Sequence, residues 1–536
     1  MAETKIIYKD IAPGALNDVS PGMPDLQPFC SLNDLKQEEL TPLQAATLET
    51  DYWRLDGGFT CFPDSPEGKP WGAWSRSLSG ADGVFVAPPV LTLAFSDLFS
   101  SVGLTFYFNA YGPDWCRELN VKWYRDDALL ADEDFTPDAW AFQCIHEVKL
   151  FNRIVVTFRA MSKPCRYLKL QGVAFGITRE FGPKELRNVG LYQAASPISE
   201  ELEINTMDFT LSSKDSVPYM FQRKQPLEAY HGGALQGVFY ISSSKRVGEK
   251  IYEIQSSDMV GLLDESNHKG GVYSNVAFSA LLAEILAGYE YELDPSLADV
   301  QLSGWLPIAT RRENLAQAAF AAGAVVDTSG SKRMRIFPAH TKISASFGGD
   351  RVYEGGSIDT SALVTAVEIT EHKYAAGTDQ QELFSDALNG TAEITFSEQM
   401  HSLRITGGTI GESGANYAVI AGTGGTVVLT GLKYNHTTRT IAVVNPNVSS
   451  ADIANIVQVT DATLVGPGNS PEVARRVYDH YQRRETVNAT LVLAGELPGD
   501  VVTVSTEFDG IKTGTVLSLS VDLARKRIGE AVILCQ

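Results

Sequence analysis

The sequence predicts a mainly β chain with some α, and three observations carry that prediction. Between about 41 and 180, short apolar runs alternate with turn clusters, the texture of a β-sandwich. From 201 the strands lengthen and two helices enter; after about 345 the chain is β-rich again until a helix opens near Ser470 and paired strands close it. A chain of 536 residues holds about three or four domains.

Taken in order, residues 1–40 carry Pro13, Pro21, Pro24 and Pro28 and read as an extended arm that wraps a neighbour or wanders. Residues 41–180 form the sandwich, with strands at Val102–Phe108, Leu119–Tyr124, Ile154–Phe158 and Tyr167–Gly176. Residues 181–265 follow as a β domain, with strands at Leu235–Ile241 and Ile251–Gln255. Residues 266–345 hold the helices. In the first, about 276–287, Val276, Phe278, Leu281, Leu282, Ile285 and Leu286 make a wide apolar stripe, so the helix is buried on more than one side. In the second, Thr310 is an N-cap with Glu313 three positions later, Leu315, Ala318, Ala319 and Ala322 recur at helical spacing, and Gly323 supplies the left-handed exit. Ala324–Asp327 and Arg333–Pro338 then pair as a hairpin. Residues 346–470 are β-rich. Residues 471–536 combine a helix entered through Ser470-Pro471-Glu472 with strands at Ala489–Leu493, Val501–Ser505 and Thr513–Leu523.

Composition excludes several functions. A formal charge of −21 argues against a nucleic-acid grip, which needs clustered Lys and Arg. No apolar run approaches the roughly 20 residues that span a bilayer, and the first residues lack a secretory pattern, so synthesis and folding in the cytoplasm are expected. Six cysteines without metal-like spacing read as buried free thiols. Catalytic, metal and cofactor motifs are not found: the eight histidines are scattered, and no nucleophile or zinc signature occurs. Gly422-Thr423-Gly424-Gly425-Thr426 lies between strand-like runs and reads as a hairpin turn, because a phosphate loop needs a following helix N-terminus. Asp126, Asp127, Asp132, Glu133 and Asp134 read as a solvated loop in preference to a calcium site.

Two residue groups remain as candidates. Trp71, Trp74 and Trp115 are flanked by Pro, Gly or Asp and could present indoles to a sugar, with a structural role as the leading alternative. Arg475, Arg476, Arg483 and Arg484 on the late helix suit a subunit interface with acidic partners.

Several segments carry a resemblance. Ile251–Gln255 with Gly261-Leu262-Leu263-Asp264, Gly304–Glu313, Ala324–Asp327 with Arg335–Pro338, Ala415–Ala418 with Leu429-Thr430-Gly431, and Pro498–Val501 occur in that order. Together they resemble the tail-tip proteins of phages and prophages of Gram-positive bacteria, described as baseplate hub or tail-associated proteins. The resemblance implies two tube-like β-barrel domains with intervening α/β segments, in a homotrimeric ring that mimics the six-fold tail tube above it. It implies the distal tail protein, tail tube protein, tape measure protein and tip or fibre proteins as partners, a virion location, and a lumen that passes DNA without specific binding. Many relatives continue into a peptidase, fibre or lysozyme-like segment where this sequence ends, so no enzymatic role is expected. Tyr52–Gly57 and Leu170–Gly176 resemble a galactose-binding-like jelly roll. That likeness implies an alternative function, a glycan-binding adhesin for host cell-wall polysaccharide.

Overall fold

The computed structural model describes residues 3–12, 14–36, 45–47, 49–52, 60–61, 70–109, 114–213, 220–449, 453–524 and 528–535. The chain is mostly β, 58% strand against 10% helix, in several sheets, none of which closes on itself among the described residues. The barrel-like domains anticipated above are therefore open sheets in the single chain. Two compact units form, one from residues 6–181 and 213–227, the other from 1–5, 182–212 and 228–536.

The first unit is built around an antiparallel sheet in the order Ala73–Leu78, Tyr167–Ala174, Val90–Phe108, Ala141–Met161, Cys116–Arg125, Ala128–Phe135. Its two longest strands pair with register shifts between Ala94 and Gly103, which bend the sheet at its middle. Leu91, Leu93 and Phe95 from before the bend share one core with Leu104, Phe106 and Phe108 from beyond it. Trp123, fully buried, sits in the same core. The described part of the expected N-terminal arm is built into the fold: Ile6–Ile11 pairs antiparallel with Phe181–Gly176, and Ser20–Gly22 adds to Val90–Phe108. Alternating buried Ile6, Tyr8 and Asp10 show why a strand forms there despite the prolines that follow. Of the Tyr52–Gly57 stretch, residues 53–57 lie outside the described residues.

In the larger unit the two β-rich halves share a single sheet. Its order includes Ala234–Arg246, Ile251–Ser257, Thr206–Ser212, Leu186–Ala194, Gly510–Asp522, Ile528–Cys535, Glu485–Val492 and Ser357–Thr360. The join lies where Leu186–Ala194 meets Gly510–Asp522, Gly190 opposite Asp522 and Ala194 opposite Ser518. Val501–Thr506 pairs with the start of the Gly510 strand, and Ile343–Phe347 runs parallel to it on its other side.

The helices Phe278–Ile285, Arg311–Ala322 and Ser470–Tyr481 share one core, with Leu282, Ile285, Leu315, Ala318, Val473 and Val477 fully or almost fully buried. The late helix thus packs with the middle of the chain. Thr310 and Glu313 form the expected capping box, Gly323 exits in the left-handed region at φ 77°, and Ala324–Asp327 pairs antiparallel with Met334–Pro338.

Ala366–Thr395 and Tyr417–Val444 pair along their whole length as a long hairpin. Its far end doubles over: Met400–Thr406 pairs with residues 428–433, and Gly408–Ser413 pairs with residues 418–422 of the same strand. The fold line passes through Gly407 (φ 79°) and Gly424 (φ 98°), a left-handed conformation that other residues rarely adopt. Gly422–Thr426 is consequently a bulged bend within a continuous strand, opposite residues 387–390, and not the terminal hairpin turn expected. Ala418, Ile420, Val427 and Leu429 fill the resulting small core with Leu383, Phe384 and Ile405.

Candidate functional site

The segment from Gly304 to Asp327 is tied to distant parts of the larger unit by side-chain hydrogen bonds. Trp305, on the strand Gln301–Leu306, donates its indole N–H to Asn416 Oδ1 at 2.8 Å, and Asn416 Nδ2 reaches Leu306 O at 2.8 Å and Lys269 O at 2.9 Å. These bonds tie the folded hairpin to the helical core. Behind the helix start, Asn314 Nδ2 donates to His268 Nδ1 at 3.0 Å, which leaves Nε2–H to donate to Glu284 Oε1 at 3.2 Å. Tyr273 OH donates to the same carboxylate oxygen at 3.0 Å. The His268 hydrogen bond holds the Glu284 carboxyl below its usual range against partial burial. Among the described residues no serine, threonine or cysteine hydrogen-bonds this histidine. The arrangement positions a helix and lacks the nucleophile of a hydrolytic triad.

The four arginines are engaged within the chain. Arg475 pairs with Asp479 one turn on, at 3.1 Å. Arg476 donates to Phe320 O and lies beside that ring, and burial lowers its pKa to about 10. Arg483 donates to Thr515 Oγ1 at 2.9 Å and His480 Nδ1 at 3.1 Å; Arg484 donates to Ser361 O at 2.9 Å. Burial, with Arg483 adding to it, pushes His480 down to about 4, so it is neutral at physiological pH. Arg483 and Arg484 thus have partners within the chain, while the Arg476 Nε is buried without an acceptor. Arg475 alone of the four is classed as exposed and could reach a neighbour.

The tryptophans take structural positions. Trp71 and Trp74 are 4% and 3% exposed, edge-to-face with each other at 5.6 Å and with Phe29 at 5.5 and 5.7 Å. The exposed placement considered for them is therefore corrected: neither indole face is open for a sugar to stack on. Trp115 is half-buried against the core of the first unit. Asp126 and Asp127 form the tight turn of a hairpin, Asp126 at φ 53°. Beyond it, Asp132 pairs with Lys122 at 3.1 Å and Asp134 with Arg159 at 3.0 Å. Asn120 Nδ2 reaches both carboxylates and is the first cause of their lowered pKa values. Among the described residues, no group of three or more His, Cys, Asp or Glu could hold a metal ion. Cys30, Cys116, Cys144, Cys165 and Cys535 are free thiols, and burial raises the pKa of Cys116 to about 12. No described helix is long and apolar enough to cross a membrane.

No protein-family model matches the sequence, and no curated protein matches it. Among solved structures, the chain is similar to a tail protein from Neisseria meningitidis MC58, at 10% identity and a TM-score of 0.43, over 67% of this chain and 94% of that one. It is similar to prophage tail protein gp18 from Listeria monocytogenes EGD-e, at 12% identity and TM-score 0.41, over 66% and 90% of the two chains. It is also similar to the 43 kDa tail protein of prophage MuSo2 from Shewanella oneidensis, at 11% identity and TM-score 0.42, over 66% and 95%.

Proposed function

We propose that this chain is a structural subunit of a phage-type tail tip, a hub whose copies close into a ring around the DNA path. The observation that carries this reading is the open border of the large sheet. Among the described residues, Ser357–Thr360 ends the sheet with a single partner strand, Glu485–Val492. Close by, the hairpin between Val501–Thr506 and Gly510–Asp522 exposes Phe508 (74%) and Ile511 (75%). An open strand edge beside large exposed apolar side chains is stabilised by another β surface, and sister copies supply one by symmetry. The role is then mechanical and interfacial, with strand edges and apolar contacts in place of a catalytic set.

In this reading the ring is a homotrimer in the virion, joined to the tail tube, distal tail and tape measure proteins and to tip or fibre proteins. In the same reading the first unit is a galactose-binding-like sandwich. A net charge of −21 suits a lumen that passes DNA without holding it, because like charges repel at short range. Negative-stain electron microscopy of the purified protein is expected to show rings with a central opening. Separate particles at every concentration would overturn the ring, and capture of duplex DNA at low salt would overturn the non-binding lumen.

A further inference from the structure

Among the described residues, the strand Ile456–Val459 is paired on one side only. Ala366–Ile369 runs parallel to it, Ala366 opposite Ile456 and Ile369 opposite Val459, and the five-stranded sheet ends there. A terminal strand presents N–H and C=O groups that an added strand can satisfy. Proteins commonly blunt such edges with proline or lysine, and Ile456-Val457-Gln458-Val459 has neither.

Beside this edge opens a groove of about 430 Å³. The helix Arg311–Ala322 forms one wall through Ala316, Gln317 and Phe320, and Gln458–Asp461 forms the other. Leu202, Phe320 and Ala462, 4 to 6% exposed, make an apolar floor. The rim carries Glu200, Glu201, Glu313 and Asp461. Arg312 also lines the groove, but Asp264 holds its guanidinium at 2.8 Å and Leu202 O accepts from it at 2.9 Å. Glu313 is committed to the helix cap, and Glu200 accepts from Tyr481 OH at 3.1 Å. The exposed carboxylates of Glu201 and Asp461 have no cation within ion-pair distance among the described residues. Gln317 Nε2 donates to Asp461 O at 3.0 Å, while its Oε1, buried in the wall, accepts no hydrogen bond.

We propose that this groove docks an extended cationic segment of another protein, which adds a strand to the Ile456–Val459 edge. Backbone pairing supplies the register. Long basic side chains lay their aliphatic stems over Ala316 and Phe320 and bring their charged ends to Glu201 and Asp461. The charge of the rim selects the occupant: its carboxylates repel an acidic segment and attract a cationic one.

The test uses the full chain and a fluorescein-labelled octapeptide of alternating lysine and valine, read by fluorescence anisotropy. Two controls accompany it: a glutamate–valine counterpart, and the lysine–valine peptide N-methylated at alternate backbone amides. The lysine–valine peptide is expected to bind, and each control to bind weaker by about tenfold or more. The Glu201→Lys, Asp461→Lys variant is expected to lose about the same factor. Should that variant fail to fold, Glu201→Gln with Asp461→Asn reads the same charge dependence. No binding, equal binding of the methylated peptide, or full binding by the charge variants would overturn the proposal. So would dissociation of oligomers by the peptide, because the groove would then belong to a second copy.

Discussion

Glu49 and Lys169, 120 positions apart, form an ion pair with both side chains fully buried, Oε1 to Nζ at 2.5 Å. The same carboxylate accepts from Tyr167 N at 2.9 Å and Thr47 Oγ1 at 2.6 Å, and the ammonium lies 4.1 Å from the centre of the Tyr52 ring. Burial pushes the lysine pKa down and Glu49 pulls it back, so the pair is stable only as a pair. Lys169→Met strands a buried carboxylate and is expected to destabilise the first unit by about 3–5 kcal/mol. Adding Glu49→Leu is expected to recover most of that loss. Urea unfolding of the single and double variants measures both, and a double variant no better than the single one would contradict the account.

Asp258 gives a pH dependence of definite sign. It caps the helix Met259–Leu262, accepts from Thr328 Oγ1 at 2.6 Å, and burial raises its pKa to about 7. Between its unfolded pKa near 3.8 and the folded value, the folded state holds more protons than the unfolded one. Stability from this group is therefore greatest at acid pH and falls as pH rises through that window, by up to about 1.4 kcal/mol per pH unit. Asp258→Asn is expected to flatten that slope in denaturant titrations from pH 5 to 8, while an unchanged slope would exclude Asp258 as its source.

Gly323 ends the signature helix at φ 77°, and a Cβ there would lie 2.8 Å from Arg476 Nη1. Gly323→Ala is expected to cost about 1–2 kcal/mol from the left-handed backbone alone. Displacement of Arg476 from Phe320 O adds to it. A variant as stable as the parent in chemical denaturation would show that the turn adjusts freely.

Thr310 Oγ1 accepts from Glu313 N at 3.2 Å, and Glu313 Oε2 accepts from Thr310 N at 2.9 Å. Thr310→Ala is expected to cost about 1 kcal/mol and Thr310→Ser much less. Hydrogen exchange should rise first in residues 310–313, whose N–H groups have no i−4 carbonyl partner within the helix. Exchange unchanged there would mean that packing by Leu315 and Ala318 holds the helix start without its cap.

What the sequence made legible was local. The cap, the stripe of small residues, the left-handed exit and the hairpin from Ala324 to Pro338 depend on neighbours within a few positions, and all are present. What it hid depends on distant partners. The Gly422–Thr426 run carries turn residues whether it ends a hairpin or folds a long strand; residues 387–390 and Gly407 decide between the two. Pro- and Gly-flanked Trp71 and Trp74 look like surface residues until Phe29, some 40 positions earlier, covers them. Arg476 reads as an interface charge because nothing nearby in sequence announces Phe320 O, 156 positions away. The groove beside Ile456 was equally invisible, since Glu201 and Asp461 meet only through the fold.

The central claim is that the open border at Ser357–Thr360 is closed by sister chains. Sedimentation equilibrium of the purified 536-residue chain tests it most directly. The account predicts a mass three times the 58.2 kDa of one chain. A stable 58.2 kDa species across the whole concentration range would contradict it.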